Sequence, residues 1–149
     1  MKISSKGLEL IKSEESFMSR PYLCPAKKPT IGYGSTFYPD GTKVTLKDKA
    51  ITENEAVKLL ENLIEKEFDI NPLIKVKLTQ NQFDALTSFV YNIGMPNFKT
   101  STLLKKLNKG DFKAVIEEFP KWINSNGKKS NGLKNRRVKE QSLFLSDQQ

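Results

Sequence analysis

Four of the chain's seven prolines, Pro21, Pro25, Pro29 and Pro39, fall between Arg20 and Leu46, together with Gly32, Gly34 and Gly41. Proline lacks the amide proton that a helix interior needs and clashes with the preceding turn, so no long helix can cross this stretch. Within it, Thr30-Ile-Gly-Tyr and Lys43-Val-Thr-Leu46 read as short strands, with Tyr38-Pro-Asp-Gly41 as the turn between them. Elsewhere the pattern is helical. Ser4 or Ser5 caps a first helix with Leu8 and Ile11 on one face. Thr52-Glu-Asn-Glu55 has the spacing of a capping box, and Ala56, Val57, Leu60, Leu63, Ile64 and Phe68 continue it as a helix of roughly five turns before Pro72. Thr79-Gln-Asn-Gln82 repeats the cap ahead of an apolar stripe, Phe83, Leu86, Phe89, Val90 and Ile93, that ends at Gly94 and Pro96. Two shorter helices are predicted over residues 101–107 and 111–119, then a basic loop between Gly127 and Gly132, then a last helix from about Leu133 to Leu145.

The predicted fold class is α+β in one domain, which is what 149 residues allow. A small β-containing lobe covers about residues 13–51, a connecting helix about 52–71, and a mainly helical lobe about 72–149. A cleft between such lobes is a natural place for a substrate.

The chain has no histidine and a single cysteine. Imidazole acid–base catalysis, Ser-His-Asp and Cys-His nucleophiles, His-ligated zinc and an internal disulfide are therefore excluded. Acid–base work falls to carboxylates. The formal charge is +8, distributed as +4, −2 and +6 over residues 1–50, 51–100 and 101–149. Basic ends around an acidic middle suit an anionic polymer: nucleic acid, a membrane face or a bacterial wall. No apolar run is long enough for a signal peptide or membrane anchor, so the chain is expected to stay in the cytosol until something else opens the membrane.

Two acids stand at the end of the first helix, where the chain turns into the proline-rich region. Glu15 follows Ile11 by four and Leu8 by seven, continuing the apolar face, while Glu14 follows Leu10 by four. A carboxyl on an apolar face is desolvated, which favours its neutral form and suits a general acid. Spacing alone leaves both candidates open, beside the simpler reading of a solvated pair.

Glu15, eight residues, Cys24, five residues, Thr30-Ile-Gly-Tyr-Gly34 resembles the catalytic signature of the phage-type lysozymes, glycoside hydrolase family 24, in which the middle position is Asp or Cys. Tyr22-Leu-Cys-Pro-Ala26 resembles the family's hairpin. Leu78-Thr-Gln-Asn-Gln-Phe-Asp-Ala-Leu86 and Phe89-Val-Tyr-Asn-Ile-Gly94 resemble its first large-lobe helix. Ser101-Thr-Leu-Leu-Lys-Lys-Leu-Asn108 and Gly132-Leu-Lys-Asn-Arg-Arg137 also fit, so the likeness covers nearly the whole chain.

The resemblance selects Glu15 over Glu14 and implies a lysozyme-like fold. It implies a muramidase that cleaves the β-1,4 bond from N-acetylmuramic acid to N-acetylglucosamine in peptidoglycan. Glu15 is then the general acid, Cys24 the position that activates or orients water, and Thr30 a positioning residue. Tyr33, Asn92 and Arg137 are implied substrate contacts. No cofactor and no metal are implied. A thiol is mostly protonated at neutral pH, so Cys24 is a poor base unless its neighbours lower its pKa; Lys27 and Lys28 follow closely and are expected to do so. Such enzymes resemble monomeric endolysins that wait in the host cytoplasm and reach the periplasm and wall once a holin acts, without inserting stably in the membrane.

The chain departs from the family pattern at Ser35, where His is common, and at Ser16, where Gly is common. The first costs an ion pair in the small lobe; the second is tolerated only if the backbone there does not need a positive φ. Trp122 reads mainly as core. Lys128, Lys129, Lys134, Arg136, Arg137 and Lys139 read either as a solvated surface or as a contact to wall anions. Two rivals remain: a nucleic-acid binder, for which no base-reading motif is present, and a wall-binding module that does not cleave.

Overall fold

The computed structural model describes residues 1–146; the last three residues of the predicted helical lobe lie outside the described residues. The chain is α+β, as predicted. It divides into two compact units, Ile11–Glu67 and Met1–Leu10 with Phe68–Gln149.

In the unit Ile11–Glu67, helix α1 (Ser5–Glu14) ends and leads into strands β1 (Met18–Leu23) and β2 (Pro29–Gly32). The two strands pair antiparallel, with Tyr22 opposite Thr30 and a register shift between Met18 and Tyr22. This differs from the predicted pairing. Residues 43–46 form no strand, and Lys43 makes only an isolated bridge to Phe37. The Asp48 carboxylate accepts bonds from the Thr45 amide (2.9 Å), the Thr45 hydroxyl (2.6 Å) and the Tyr38 hydroxyl (2.6 Å). A side chain has thus taken the amide that a ladder would have used. The predicted turn is present, with the Gly41 amide donating to the Tyr38 carbonyl at 2.9 Å. Helix α2 (Glu53–Glu67) opens on the capping box, Thr52 and Glu55 bonding reciprocally at 3.1 and 3.2 Å. It buries Ala56, Leu59, Leu60, Leu63 and Ile64; Val57 is only half-buried. Gly32 has φ +69° and lies so close that an added Cβ would meet the Ala56 Cβ at 3.2 Å. Glycine is required there by conformation and by space.

In the other unit, helix α3 (Gln80–Ile93) is capped by Thr79 and Gln82 and buried without interruption from Gln82 to Val90. Around it lie α4 (Met95–Lys99), α5 (Thr102–Asn108), α6 (Phe112–Glu118) and α7 (Asn131–Leu145). Phe89 sits edge-on to Phe98, Phe119 and Trp122 at centroid distances of 6.3, 5.2 and 5.7 Å, and Phe119 continues to Phe144 at 5.9 Å. Each such pair adds about 1 kcal/mol beyond the area it buries. Between α6 and α7, where a basic loop is predicted, strands β3 (Asn124–Ser125) and β4 (Lys128–Lys129) form a small hairpin. Asn126 and Gly127 both have positive φ, 53° and 79°, the geometry that an Asn-Gly hairpin turn demands.

The start of α1 is held against α3 through Asp84. The Asp84 carboxylate accepts from the Ser4 amide at 3.0 Å, from the Ser4 hydroxyl, and from Gln80 Nε2 at 2.8 Å. A Cβ on Gly7 would lie 2.9 Å from the Asp84 Cβ and 2.6 Å from the Ile3 side chain. Gly7→Ala is expected to cost about 2 kcal/mol, a fall in Tm of roughly 4–8 °C by calorimetry.

Candidate active site

Glu15 follows the last residue of α1, its amide still bonded to the Ile11 carbonyl at 3.1 Å, and its side chain is half-buried. Ser16 does not have a positive φ, so the condition for a side chain at that position is met. The hairpin then turns over residues 24–28. The Cys24 amide donates to the Lys28 carbonyl at 3.0 Å and the Lys27 amide to the Cys24 carbonyl at 2.7 Å, with Lys27 at φ +62°. Thr30 is 3% exposed and its hydroxyl donates to the Lys28 carbonyl at 2.9 Å.

The thiol of Cys24 is held below the ordinary thiol value. The largest cause is a hydrogen bond from the Lys28 main chain, followed by one from the Thr30 hydroxyl, against a smaller opposing effect of burial. The predicted influence of Lys27 and Lys28 is thus corrected in kind: the backbone beside the sulfur stabilises the thiolate, not the ammonium charges. A hydroxyl has one proton, so at any one time Thr30 donates either to the Lys28 carbonyl or to the sulfur.

Tyr22, two residues before Cys24 and opposite Thr30, belongs to the same cluster. Its phenol is pushed up first by burial and then by the charges of Cys24 and Glu15, which keeps it neutral. No role for it was expected from the sequence; the signal is its strand register, which requires the β1–β2 pairing. Tyr33 is 4% exposed and packs on Phe17 at 5.6 Å, with the Lys12 ammonium 6.0 Å above its ring. Ser35 is paired through its backbone to Ile31 at 2.9 and 3.0 Å, and its buried hydroxyl has no hydrogen-bond partner among the described residues. An unsatisfied buried hydroxyl costs about 1–3 kcal/mol.

The other unit brings Asn92 and Arg137 together. Arg137 is 1% exposed, and its Nη2 donates to Asn92 Oδ1 at 2.6 Å. A guanidinium cannot accept, so the Asn92 amide is oriented with its oxygen toward Arg137. Arg137 stacks over Phe89 at 4.9 Å and pairs with Glu140 at 2.9 Å. Glu140, fully buried, also receives Ser88 Oγ at 2.7 Å and Arg136 Nε at 3.2 Å. Burial pushes its carboxyl up, and Arg137, Ser88 and Arg136 pull it back. Arg136 and Arg137 are therefore not part of an exposed basic cluster, a correction to that reading; their positions on α7 turn them onto α3. Asn92 borders an open pocket of about 710 Å³ that Asn97, Thr102, Glu118, Lys121 and Trp122 also line. Among the described residues, no group of three or more His, Cys, Asp or Glu could hold a metal, and no helix is long and apolar enough to cross a membrane.

Residues 12–140 match the family model described as phage lysozyme. The chain belongs to the phage lysozyme family. It is similar to the endolysin of Acyrthosiphon pisum secondary endosymbiont phage 1, 44% identical over 98% of this chain and 99% of that protein. Among solved structures it is similar to P22 lysozyme mutant L86M (38% identity, TM-score 0.85, covering 97% of this chain and 99% of that one). The muramidase domain of SpmX from Asticaccaulis excentricus is similar as well, at 37% identity and TM-score 0.77 over 97% of both chains. The fold of this family member is lysozyme-like, and its activity class is that of a lysozyme-type hydrolase.

Two expectations follow from the geometry. The rate of Cys24 alkylation should reach its half-maximum at a pH below that of an ordinary thiol, and Thr30→Val should move that midpoint upward by removing a donor to the thiolate. Glu140→Ala should cost about 3–5 kcal/mol in urea unfolding because it strands two buried cations, and replacing Arg136, Arg137 and Glu140 together by Met, Met and Leu should recover most of the loss.

Proposed function

We propose that the chain is an endolysin muramidase of glycoside hydrolase family 24 that cleaves the β-1,4 bond between N-acetylmuramic acid and N-acetylglucosamine, opening the host wall to release phage progeny. The observation that carries this reading is the cluster formed by Glu15, Tyr22, Cys24 and Thr30 at the end of α1 and on the β1–β2 hairpin, with the Cys24 thiol held toward its thiolate.

In this reading Glu15 gives its proton to the glycosidic oxygen as the C–O bond breaks and positive charge grows on the sugar. This step requires Glu15 in its protonated form. Water then adds to the anomeric carbon, its proton passing to the Cys24 thiolate, and Thr30, whose hydroxyl bonds the sulfur, positions that water through Cys24. Tyr22, neutral throughout, offers an O–H donor to either anion. Asn92 contacts the substrate through its amide. Tyr33 and Arg137, both buried, act on the substrate through the residues they hold. The polymer is peptidoglycan, the enzyme is a monomer, and no nucleic acid and no stable membrane insertion are involved. It accumulates in the host cytoplasm and depends on a holin to reach the periplasm and wall. The names of its relatives, endolysin and muramidase, support the wall-cleaving part of this reading.

Glu15→Gln removes the transferable proton while keeping the side chain's shape. On chloroform-treated Gram-negative cells the variant should clear turbidity at least a thousandfold more slowly than the wild type, with an unchanged Tm. Wild-type-like clearing would sink the assignment. Binding to the wall by the wild type without clearing would mean a non-cleaving module. Mass spectrometry of the muropeptides should show reducing ends rather than anhydro-sugars.

A further inference from the structure

A second pocket, of about 410 Å³, lies entirely in the unit Ile11–Glu67 and is not part of the Glu15 cluster. Lys27, Lys28 and Lys43 stand around it, with Pro29, Phe37 and Val44 supplying apolar surface. Among the described residues none of the three lysines is in an ion pair. The reason is visible in the segment itself. Residues 20–50 contain two acids, Asp40 and Asp48. Asp40 accepts from the Thr42 amide at 2.9 Å and its hydroxyl at 2.7 Å, and Asp48 is occupied by Thr45 and Tyr38. Both acids hold their own turns, and among the described residues neither forms an ion pair with the lysines of the pocket.

The walls are built. One is the turn over residues 24–28, closed by the Cys24–Lys28 and Lys27–Cys24 backbone bonds. The other is the 36–44 loop, closed by the Val44 amide on the Thr36 carbonyl at 2.9 Å and the Tyr38 amide on the Thr42 carbonyl at 2.8 Å. Val44 anchors it in a core with Ile31 and Leu59. Three lysines around a small apolar floor suit a carboxylate on a short aliphatic chain.

We propose that this pocket is a subsite for the carboxylates of wall peptide stems. It rests on the muramidase reading: the stems hang from the same polymer whose glycan Cys24 and Thr30 would engage, and the pocket's first wall is the turn that carries Cys24. Charge complementarity favours the stem carboxylates, and the apolar floor favours their aliphatic chains over a bare oxyanion.

Two measurements on the full chain test it. Backbone amide spectra are followed during titration with a free stem tripeptide, with the same peptide amidated at its carboxylates, and with inorganic phosphate. Shifts at residues 27, 28, 37, 38 and 40–44 are expected with the free peptide, about tenfold weaker with the amidated peptide and with phosphate, and absent in the double variant K27Q/K43Q. Glutamine keeps the length of each side chain and removes only its charge. Equal response to phosphate, or an unchanged response in the variant, overturns the subsite. Cleavage is then compared on stem-bearing wall and on glycan strands stripped of stems. The variant is expected to lose about tenfold in kcat/KM on the first at low salt and nothing on the second. Equal losses on both substrates, or none on either, also overturn it. A wild type that cleaves neither substrate overturns the muramidase reading instead, and the titration still decides the subsite.

Discussion

A helix buried on every side must satisfy its polar side chains inside the protein, and α3 brings Asp84, Thr87 and Ser88 into such a position. An unpaired hydroxyl or carboxylate there would cost several kcal/mol, so each partner is a fixed point of the structure. Thr87 returns its hydroxyl to the Phe83 carbonyl at 2.9 Å. Asp84 draws in Ser4 and so fixes where α1 begins, close enough that only glycine fits at position 7. Ser88 joins Glu140 to Arg136 and thereby sets the face that α7 turns inward. The same network reaches the surface at Asn92, whose oxygen is claimed by Arg137. The orientation of a surface amide is thus decided by a carboxylate with no exposure at all.

In the unit Ile11–Glu67 a similar economy applies to Cys24. Its anion is favoured by a main-chain amide and a hydroxyl, groups that carry no net charge and need no side-chain entropy to hold them. A preorganised donor of this kind acts on the sulfur without attracting the counter-anions that a lysine would. The lysines nearby form no ion pair with Asp40 or Asp48 among the described residues, since those carboxylates bond Thr42, Thr45 and Tyr38 instead.

Much of this was legible in the linear order of residues. The capping boxes at Thr52 and Thr79 join groups three residues apart, so their geometry is local and their sequence signal is direct. Gly94 at φ 90° ends α3 where the pattern places the stop. Strand β1 was not legible: Pro21 breaks its pattern, and its pairing with β2 passes through a register shift. Residues 43–46 have strand-like composition, but the bonds from Thr45 to Asp48 outcompete a ladder. The hairpin at residues 124–129 had a local signal in Asn-Gly, with strands too short to show alternation. At the site, Glu15, Cys24 and Thr30 stand out by spacing and resemblance. Tyr22 does not, because its part depends on a cross-strand partner.

The sequence by itself determined the chemistry on offer: carboxylates and one thiol in a chain without histidine, capped helices on either side of a proline-rich hairpin, and a net positive charge. Those properties follow from residue type and from interactions over three or four positions. Tertiary structure decided which of the charges face water. Arg136 and Arg137 are as basic as the lysines beside them, yet burial against Ser88, Asn92 and Glu140 makes them internal struts. It also decided the state of Cys24, because the donors that lower its pKa meet the sulfur only when the hairpin closes. Charge and reactivity depend on what surrounds a group, and those surroundings exist only once the chain has folded, whether the partners lie four residues away, as Lys28 does from Cys24, or forty-five, as Asn92 does from Arg137.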